Sequence, residues 1–356
     1  MKGRKKTSAF GDDVHTLAQV GTKQASSTLP KGCIMVNGKG SDLSDLKTAR
    51  ARAKRKQISQ VLALGLIRIA QENNNRSLEI KFRNTYYCLD NLVTVEERIH
   101  GRYCKTRACT VCLAIRKAEI LNKYLPVVGT WSEPHFLTLT VKSIKKESLH
   151  SVIKNMKQSF RKILNTYKKR HQRGKGDNLI GLMSIECNFN PKTKTYNPHF
   201  HIITNNRMTG VVLREEWLKR AREGKTNKGA QFLSKVEDNE KCLIEIVKYG
   251  IKILTENDLN KKVLSGKKVT IYLNALYTIL EAFEGIRLFE HFGFQTTIKP
   301  NKEVIPAKIA VDFKEFFYDS TKTDWIDLAK RETLTGFISD QRIQHILENC
   351  IDYELN

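Results

Sequence analysis

The chain has 356 residues and a formal charge of +25 at pH 7, with 62 Lys and Arg residues against 37 Asp and Glu residues. A charge so far from zero gives a strong positive surface field and predicts a polyanionic partner. Nucleic acid fits this prediction better than a membrane surface does. No stretch approaches the roughly 18 apolar residues of a membrane span, and the basic start MKGRKKTSAFGDD lacks the apolar run of a secretory signal, so we expect a cytoplasmic protein that does not enter a membrane.

The first 125 residues are predicted to form an arm followed by a helical, metal-binding region. Residues 1–45 mix Lys, Ser, Gly and Asp without periodicity, which is typical of a basic and partly disordered arm. From Ser44 to Gln71 the apolar residues recur with helical spacing. Four of the eight cysteines then cluster between positions 88 and 112. We therefore assign residues 46–125 to a helical and zinc-binding region.

Residues 126–300 are predicted to form the main domain. The segment His135–Val141 is rich in β-branched and aromatic residues and predicts a strand, and the periodic segment Ser148–Arg170 predicts a long helix. A second strand, Leu179–Cys187, is followed by the turn sequence NFNPKTKTYNP and a third strand, HFHIIT. This order of elements predicts an α+β fold with an antiparallel hairpin at its centre.

The rest of the chain is predicted to be mainly helical. Helices are expected around Leu213–Arg222 and Asp238–Leu254, and the apolar run VTIYLNALYTILEAFEGIRLFEHFGF predicts one or two more that close the domain. Residues 301–356 are weakly patterned, and we treat them as a C-terminal extension.

The stretch YNPHFHIIT contains a candidate metal site. Residues two apart in a strand point to the same face, so His199 and His201 present two imidazoles side by side. Glu186 lies in an apolar run of the preceding strand, where an unpaired carboxylate is costly to bury, and strand pairing would place it beside the histidines. Two imidazoles and a carboxylate suit Mg²⁺ or Mn²⁺ with open coordination positions. The alternative is two histidines that only share a strand face and a Glu186 paired with a lysine.

A candidate nucleophile follows in CLIEIVKYGIKIL. On a helix Glu245 and Tyr249 are four residues apart and share a face, with Lys248 nearby. A tyrosine attacks phosphorus when its phenolate charge is offset, which ammonium groups and a metal ion favour. The alternative is a core tyrosine whose hydroxyl is hydrogen-bonded within the fold.

The clustered cysteines predict a second, structural metal site. Cys104, Cys109 and Cys112 have the spacing C-x₄-C-x₂-C, and structural zinc takes four ligands. Cys88 is the best fourth ligand and His100 the second best. Basic residues crowd this knuckle and are candidate DNA contacts, together with Lys248. They are Arg102, Lys105, Arg107, Arg116 and Lys117.

The ordered set FLTLT, a strand with a glutamate, PHFHIIT and EIVKYGIK resembles the replication initiators of small bacterial rolling-circle plasmids, a branch of the HUH endonuclease superfamily. The resemblance implies an HUH-endonuclease-like antiparallel sheet core with flanking helices. It implies that His199, His201 and Glu186 bind a divalent metal. It also implies that Tyr249 nicks one DNA strand and keeps the 5′-phosphate, while Glu245 activates water at termination.

The resemblance covers roughly Cys88 to Phe294, and it includes a comparable cysteine run, which favours structural zinc. Two places depart from the family's pattern. The family often has a further histidine where this chain has Asn197, and the segment around Arg287 and Gly293 matches only loosely. The implied partners are origin DNA, single-stranded or in a hairpin, and a host helicase.

Two other functional classes stay open at this point. A transposase or mobilisation relaxase would use the same chemistry, although relaxases more usually place the tyrosine before the histidine motif. A zinc-containing nucleic-acid-binding protein without catalysis would account for the charge and the cysteines but not for the histidine and tyrosine motifs.

Overall fold

The computed structural model describes residues 34–36, 41–42, 45–220, 226–247, 270–295 and 308–352. The chain divides into two compact units, each made of three separate stretches, whereas the four predicted segments are consecutive. The first unit comprises Met1–Gln57, Tyr87–Tyr103 and Asn301–Ile338, and the second comprises Ile58–Tyr86, Cys104–Pro300 and Ser339–Asn356.

The described residues form eight α-helices and fourteen strands, numbered here in chain order. The helices are α1 Leu46–Glu72, α2 Arg76–Tyr86, α3 Thr110–Gly129, α4 Lys146–Gln172, α5 Arg207–Arg220, α6 Asn239–Ile246, α7 Leu273–Ala282 and α8 Gln341–Asn349. The strands are β1 Ile34–Val36, β2 Ser41–Asp42, β3 Asn91–Val95, β4 Arg98–Gly101, β5 His135–Thr140, β6 Gly181–Asn190, β7 Thr195–Thr204, β8 Phe232–Lys235, β9 Ile271–Tyr272, β10 Phe289–Phe292, β11 Lys308–Ala310, β12 Lys314–Asp319, β13 Asp324–Asp327 and β14 Ile351–Asp352. No helix in these ranges combines the length and the apolar character needed to cross a membrane.

The first unit is built on a five-stranded sheet with the order β13-β12-β3-β4-β2. Strand β12 pairs antiparallel with β3, and Phe316 lies opposite Leu92. The Trp325 indole Nε1 donates a hydrogen bond to the Leu89 carbonyl at 2.6 Å. The prediction of a helical C-terminal part is therefore wrong for residues 308–327. These strands are short, and their pairing partner lies more than 200 residues earlier in the chain, so local pattern could not reveal them.

The second unit is built on a five-stranded antiparallel sheet with the order β10-β6-β7-β5-β8, here called the central sheet. Strands β6 and β7 pair over ten residues each, from Gly181 opposite Thr204 to Asn190 opposite Thr195. One face carries apolar side chains that pack against α4 and α5. Phe200 contacts Phe160 of α4 at a ring distance of 5.1 Å and Trp217 of α5 at 5.6 Å. The predicted α+β class and the central antiparallel hairpin are confirmed.

The predicted helices after residue 269 are only partly correct. Helix α7 occupies the first part of the apolar run, but Phe289–Phe292 forms the edge strand β10, which pairs with β6. Gly285 has a φ of +70°, a left-handed conformation that ends the helix and is favourable for glycine. Phe292 then packs against Gly181, which has no side chain to block its ring. Tertiary pairing thus overrides the helical apolar pattern.

Candidate metal centre and its surroundings

Glu186, His199 and His201 converge on one point of the central sheet. The two Nε2 atoms of the histidines are 3.1 Å apart. Glu186 Oε2 lies 3.6 Å from His201 Nε2 and 3.9 Å from His199 Nε2. All three side chains are buried, with Glu186 only 1% exposed. The structure therefore brings together the three residues that the sequence predicted as metal ligands.

The strand register explains this convergence. Glu186 of β6 lies directly opposite His199 of β7, and His201 lies opposite Ser184, two residues further along the same face. Side chains directly opposite each other in an antiparallel pair share a face, and so do residues two apart in one strand. We call the face that carries Glu186, His199 and His201 the metal face.

The orientation of the imidazoles fits metal binding. His199 Nδ1 lies 3.0 Å from the Asn197 carbonyl oxygen. A carbonyl only accepts hydrogen bonds, so Nδ1 carries the proton and Nε2 turns its lone pair towards Glu186 and His201. The His201 Nδ1 atom lies 3.3 Å from the Thr138 hydroxyl. This second set of contacts fixes the ring positions, as is common around metal-bound histidines.

The donor set fits a divalent cation. One ligand atom from each of the three residues lies within 4.8 Å of the other two. Two neutral imidazoles and one carboxylate offer three ligands and leave positions open, which suits an ion that must also contact a substrate oxygen. The buried Glu186 carboxylate would also offset part of the positive charge of such an ion, which apolar side chains could not do.

Asn197 has a structural role beside this group. Its side-chain amide donates to the Val141 carbonyl at 2.9 Å and to the Thr140 hydroxyl at 3.1 Å. These bonds link β7 to the end of β5, two residues before His199 in the sequence. Asn197 thus occupies the position of the histidine that the family often has, and its amide bonds to strand β5.

Two residues of the metal face were not singled out by the sequence. Phe136 stacks on the His201 ring, with a centroid distance of 5.2 Å and an interplanar angle of 30°. Thr138 lies opposite His201 in β5 and contacts its ring nitrogen. No motif in the sequence marks them, because their importance comes only from strand register.

Helix α6 is the described part of the predicted helix Asp238–Leu254, and it ends at Ile246. Glu245 is half-buried in α6, and this helix contacts both β7 and α3. Lys248 and Tyr249 lie outside the described residues, just beyond Val247. The structure therefore places α6 beside the histidine strand β7, while the roles of Glu245, Lys248 and Tyr249 remain predictions.

Three of the four predicted cysteine ligands form a second group within the second unit. One Sγ atom from each of Cys104, Cys109 and Cys112 lies within 4.8 Å of the others, and Cys104 and Cys112 are 3.6 Å apart. Four sulfurs bonded at about 2.3 Å to one ion would be about 3.8 Å apart, so the spacing fits tetrahedral zinc. The backbone N–H groups of Cys112 and Lys105 point at Cys109 Sγ and Cys112 Sγ. Cys88, which belongs to the first unit, stays the predicted fourth ligand of this group.

The basic residues around the cysteines differ in exposure and in their hydrogen bonds. Arg102 and Lys105 are exposed. The Arg107 guanidinium donates to the carbonyls of Phe283 and Ile286, and it therefore holds the chain after α7. Arg116 and Lys117 are half-buried, and Arg116 donates to the Lys105 carbonyl at 3.0 Å. Exposure thus favours Arg102 and Lys105 as phosphate contacts.

The fold and site define a protein with a two-histidine, one-carboxylate centre on an antiparallel sheet. Residues 96–303, more than half of the chain, match the family described as "Replication protein". The chain belongs to this family, and the predicted resemblance to rolling-circle plasmid replication initiators is confirmed. The matched region contains the histidine motif, Glu186 and the EIVKY segment.

Several curated relatives carry the name "Protein rep". One from Bacillus sp is 27% identical over 223 residues, which cover 54% of this chain and 69% of the relative. One from Bacillus amyloliquefaciens is 28% identical over 223 residues, covering 54% and 62%. One from Staphylococcus aureus is 28% identical over 216 residues, covering 55% and 90%. No solved structure matches the chain significantly.

Proposed function

We propose that this protein initiates rolling-circle replication of a plasmid by nicking and rejoining one strand of origin DNA through a 5′-phosphotyrosyl intermediate. The observation that carries the proposal is the convergence of Glu186, His199 and His201 on one buried point of the central sheet. The family membership supports replication as the process. The resemblance supplies the nucleophile, Tyr249, and the terminating residue, Glu245.

Glu186, His199 and His201 would hold a divalent Mg²⁺ or Mn²⁺ ion. When bound, such an ion polarises a phosphoryl oxygen and stabilises the charge that develops during cleavage. The protein's own contribution is to keep the two imidazoles in one orientation and tautomer through the Asn197 carbonyl and Thr138. The Phe136 ring shields one face of His201 from water.

The proposed cleavage step conserves the energy of the broken bond. The Tyr249 phenol gives up its proton as its oxygen bonds to phosphorus, the bond from phosphorus to the 3′-oxygen breaks, and that oxygen takes a proton and becomes the priming hydroxyl. Joining reverses these changes. At termination Glu245 accepts a proton from water, the resulting hydroxide bonds to the scissile phosphorus, the bond from that phosphorus to the 3′-oxygen breaks, and this oxygen takes a proton. The contact of α6 with β7 supports a location of Glu245 near the histidine strand.

The cysteine group is proposed to hold structural zinc. Four thiolates satisfy all positions of a tetrahedral ion, which leaves none for a substrate. The exposed Arg102 and Lys105 are proposed to contact the DNA backbone, with affinity that falls as salt rises. A host helicase as partner and a cytoplasmic location also remain predictions.

The experiment that tests this function is a covalent-adduct assay. The full-length protein is incubated with Mn²⁺ and a labelled single strand carrying the plasmid origin, then separated under denaturing conditions. We expect labelled DNA attached to the protein at Tyr249, because the phosphotyrosyl bond survives denaturation. A Tyr249→Phe variant should form no adduct.

A matched control uses Tyr87, which is 57% exposed and belongs to the first unit. Tyr87→Phe should form the adduct at the wild-type rate. A Tyr249→Phe variant that cleaves as well as the wild type would overturn the nucleophile assignment. Complete absence of an adduct in the wild type would favour a zinc-containing binding protein instead.

A further inference from the structure

A row of side chains crosses the metal face at the level of His201. Thr138 of β5 lies directly opposite His201, and Phe232 of β8 lies directly opposite Thr138. The three side chains therefore share the metal face. Neighbouring strands are about 4.8 Å apart, so Phe232 lies roughly 10 Å from His201 along this row.

Phe232 is unusually exposed for its size. It is 58% exposed on β8, an edge strand of the central sheet. Phe136 lies opposite Ser234, so it is the diagonal neighbour of Phe232 on the same face. Phe136 is half-buried and stacks on His201. Two phenylalanine rings thus extend from the metal centre to the edge of the sheet.

The segment before Phe232 is held in place by a buried amide. Gln231 is 7% exposed, and its side-chain oxygen accepts a hydrogen bond from the Thr140 backbone N–H at 2.8 Å. Its side-chain nitrogen donates to the Thr226 hydroxyl at 2.6 Å. The Thr140 carbonyl also accepts bonds from Thr226 and from the Trp217 indole. This network fixes Phe232 relative to Thr140, which lies opposite His199.

Positive charge flanks this exposed ring. Lys228, in the turn Lys228–Ala230 just before β8, is exposed. An exposed aromatic ring with flanking cations is the arrangement that proteins use for single-stranded nucleic acid, where bases stack and phosphates pair with the cations. The net charge of +25 favours the same partner.

We propose that Phe232 is a stacking platform for an unpaired base of the DNA strand that enters the metal centre. The inference rests on the proposed function, because it takes single-stranded DNA as the substrate of that site. The base next to the scissile phosphate lies on the Phe232 ring, while Lys228 contacts an adjoining phosphate. Duplex DNA is excluded from this contact since its bases are already stacked.

The test measures DNA binding by the full-length protein in EDTA, so that no cleavage is needed. Fluorescence anisotropy compares a short labelled single strand with the same sequence as a duplex. Phe232→Ala should weaken binding of the single strand by roughly 5- to 100-fold and leave the duplex almost unchanged. Phe232→Trp should retain binding, whereas Phe232→Leu, apolar but unable to stack, should behave like Phe232→Ala.

A spectroscopic readout follows stacking directly. A single strand with one 2-aminopurine base is expected to lose fluorescence on binding to the wild type when that base lies on the ring, and to keep it with Phe232→Leu. Met208 provides the matched control. It is 65% exposed on α5, the helix whose Trp217 packs on the opposite face of the sheet. Met208→Ala should bind both DNA forms like the wild type.

Three results would overturn the proposal. They are wild-type binding by Phe232→Ala, full rescue by Phe232→Leu, and an equal loss for single-stranded and duplex DNA. The outcome is separate from that of the adduct assay. Adduct formation with unchanged binding by Phe232→Ala would leave the proposed function standing and remove only the platform.

Discussion

The two clusters of potential metal ligands differ in the number of ligands and in their surroundings. The group Glu186, His199 and His201 offers three ligand atoms from paired strands, beside the partly exposed Phe136 and Thr138. The cysteine group offers three sulfurs from Cys104, which precedes helix α3, and from Cys109 and Cys112 at its start, and Cys88 is the predicted fourth ligand. An ion held by four thiolates has no open position, whereas an ion held by three ligands retains some. The three-ligand group therefore suits an ion that contacts a substrate, and the cysteine group suits an ion that stabilises the fold.

The largest effect is expected from the cysteine group. Cys112→Ser should abolish zinc binding and lower stability by several kcal/mol, because metal binding by such clusters is coupled to folding. Zinc content by mass spectrometry and the thermal unfolding temperature would measure both. Cys350→Ser, at a half-buried thiol outside the group, should change neither by much. Equal zinc content in Cys112→Ser and the wild type would remove the zinc assignment.

The next effect concerns the three-ligand group. Glu186→Gln keeps the shape of the side chain but removes its charge, so nicking should fall roughly 100-fold or more with little change in unfolding temperature. Glu290→Gln is the matched control on the same sheet. Glu290 pairs at 2.6 Å with the buried Lys157 of α4, so this substitution should reduce stability but leave nicking by the folded protein near the wild-type rate. Nicking by Glu186→Gln at the wild-type rate would contradict the proposed centre.

A smaller effect is expected at Asn197. Its amide ties β7 to β5 through Thr140 and Val141, so Asn197→Ala should cost about 1 kcal/mol of unfolding free energy. Nicking should fall less than tenfold, since the Asn197 carbonyl still accepts the bond from His199. Urea unfolding and a nicking time course would test this. A loss of nicking as large as that of Glu186→Gln would give Asn197 a direct part in metal binding.

The smallest expected effect concerns Cys242, a thiol that is not one of the proposed metal ligands. Burial, with the nearby Glu245 carboxylate, raises the pKa of the Cys242 thiol to about 12. The reactive thiolate is therefore scarce at neutral pH, and its alkylation rate should rise about tenfold per pH unit between pH 7 and 10. Mass spectrometry after timed alkylation of the native protein would follow it. A rate that levels off below pH 9 would show a thiol of ordinary acidity.

The sequence predicted the metal centre because its signals are local. His199 and His201 share a face by strand alternation, and Glu186 lies on the adjacent strand of the same hairpin, so a short turn suffices to bring them together. The register of β6 and β7 confirms that the three side chains lie on one face, while the binding of an ion by them stays a prediction. The cysteine spacing is similarly informative, because Cys104, Cys109 and Cys112 lie within nine residues of each other.

Other parts depend on pairing between distant segments. Strand β10 has an apolar pattern that also suits a helix, and only its pairing with β6 decides between them. Strand β12 pairs with β3, which lies more than 200 residues earlier. Phe232 belongs to a short strand in a Gly- and Lys-rich region, and its relation to His201 appears only when β8 is placed beside β5. These features are set by tertiary contacts rather than by local periodicity.

The most direct test of the contrast between the two metal groups is selective removal of metal. The full-length protein is dialysed briefly against EDTA, and zinc content and origin nicking are measured before and after Mn²⁺ is restored. We expect that about one zinc per chain remains bound, that nicking is lost with EDTA, and that Mn²⁺ alone restores it. Nicking that survives complete removal of divalent ions, or that returns only with zinc, would contradict the assignment of Glu186, His199 and His201 as the reactive centre.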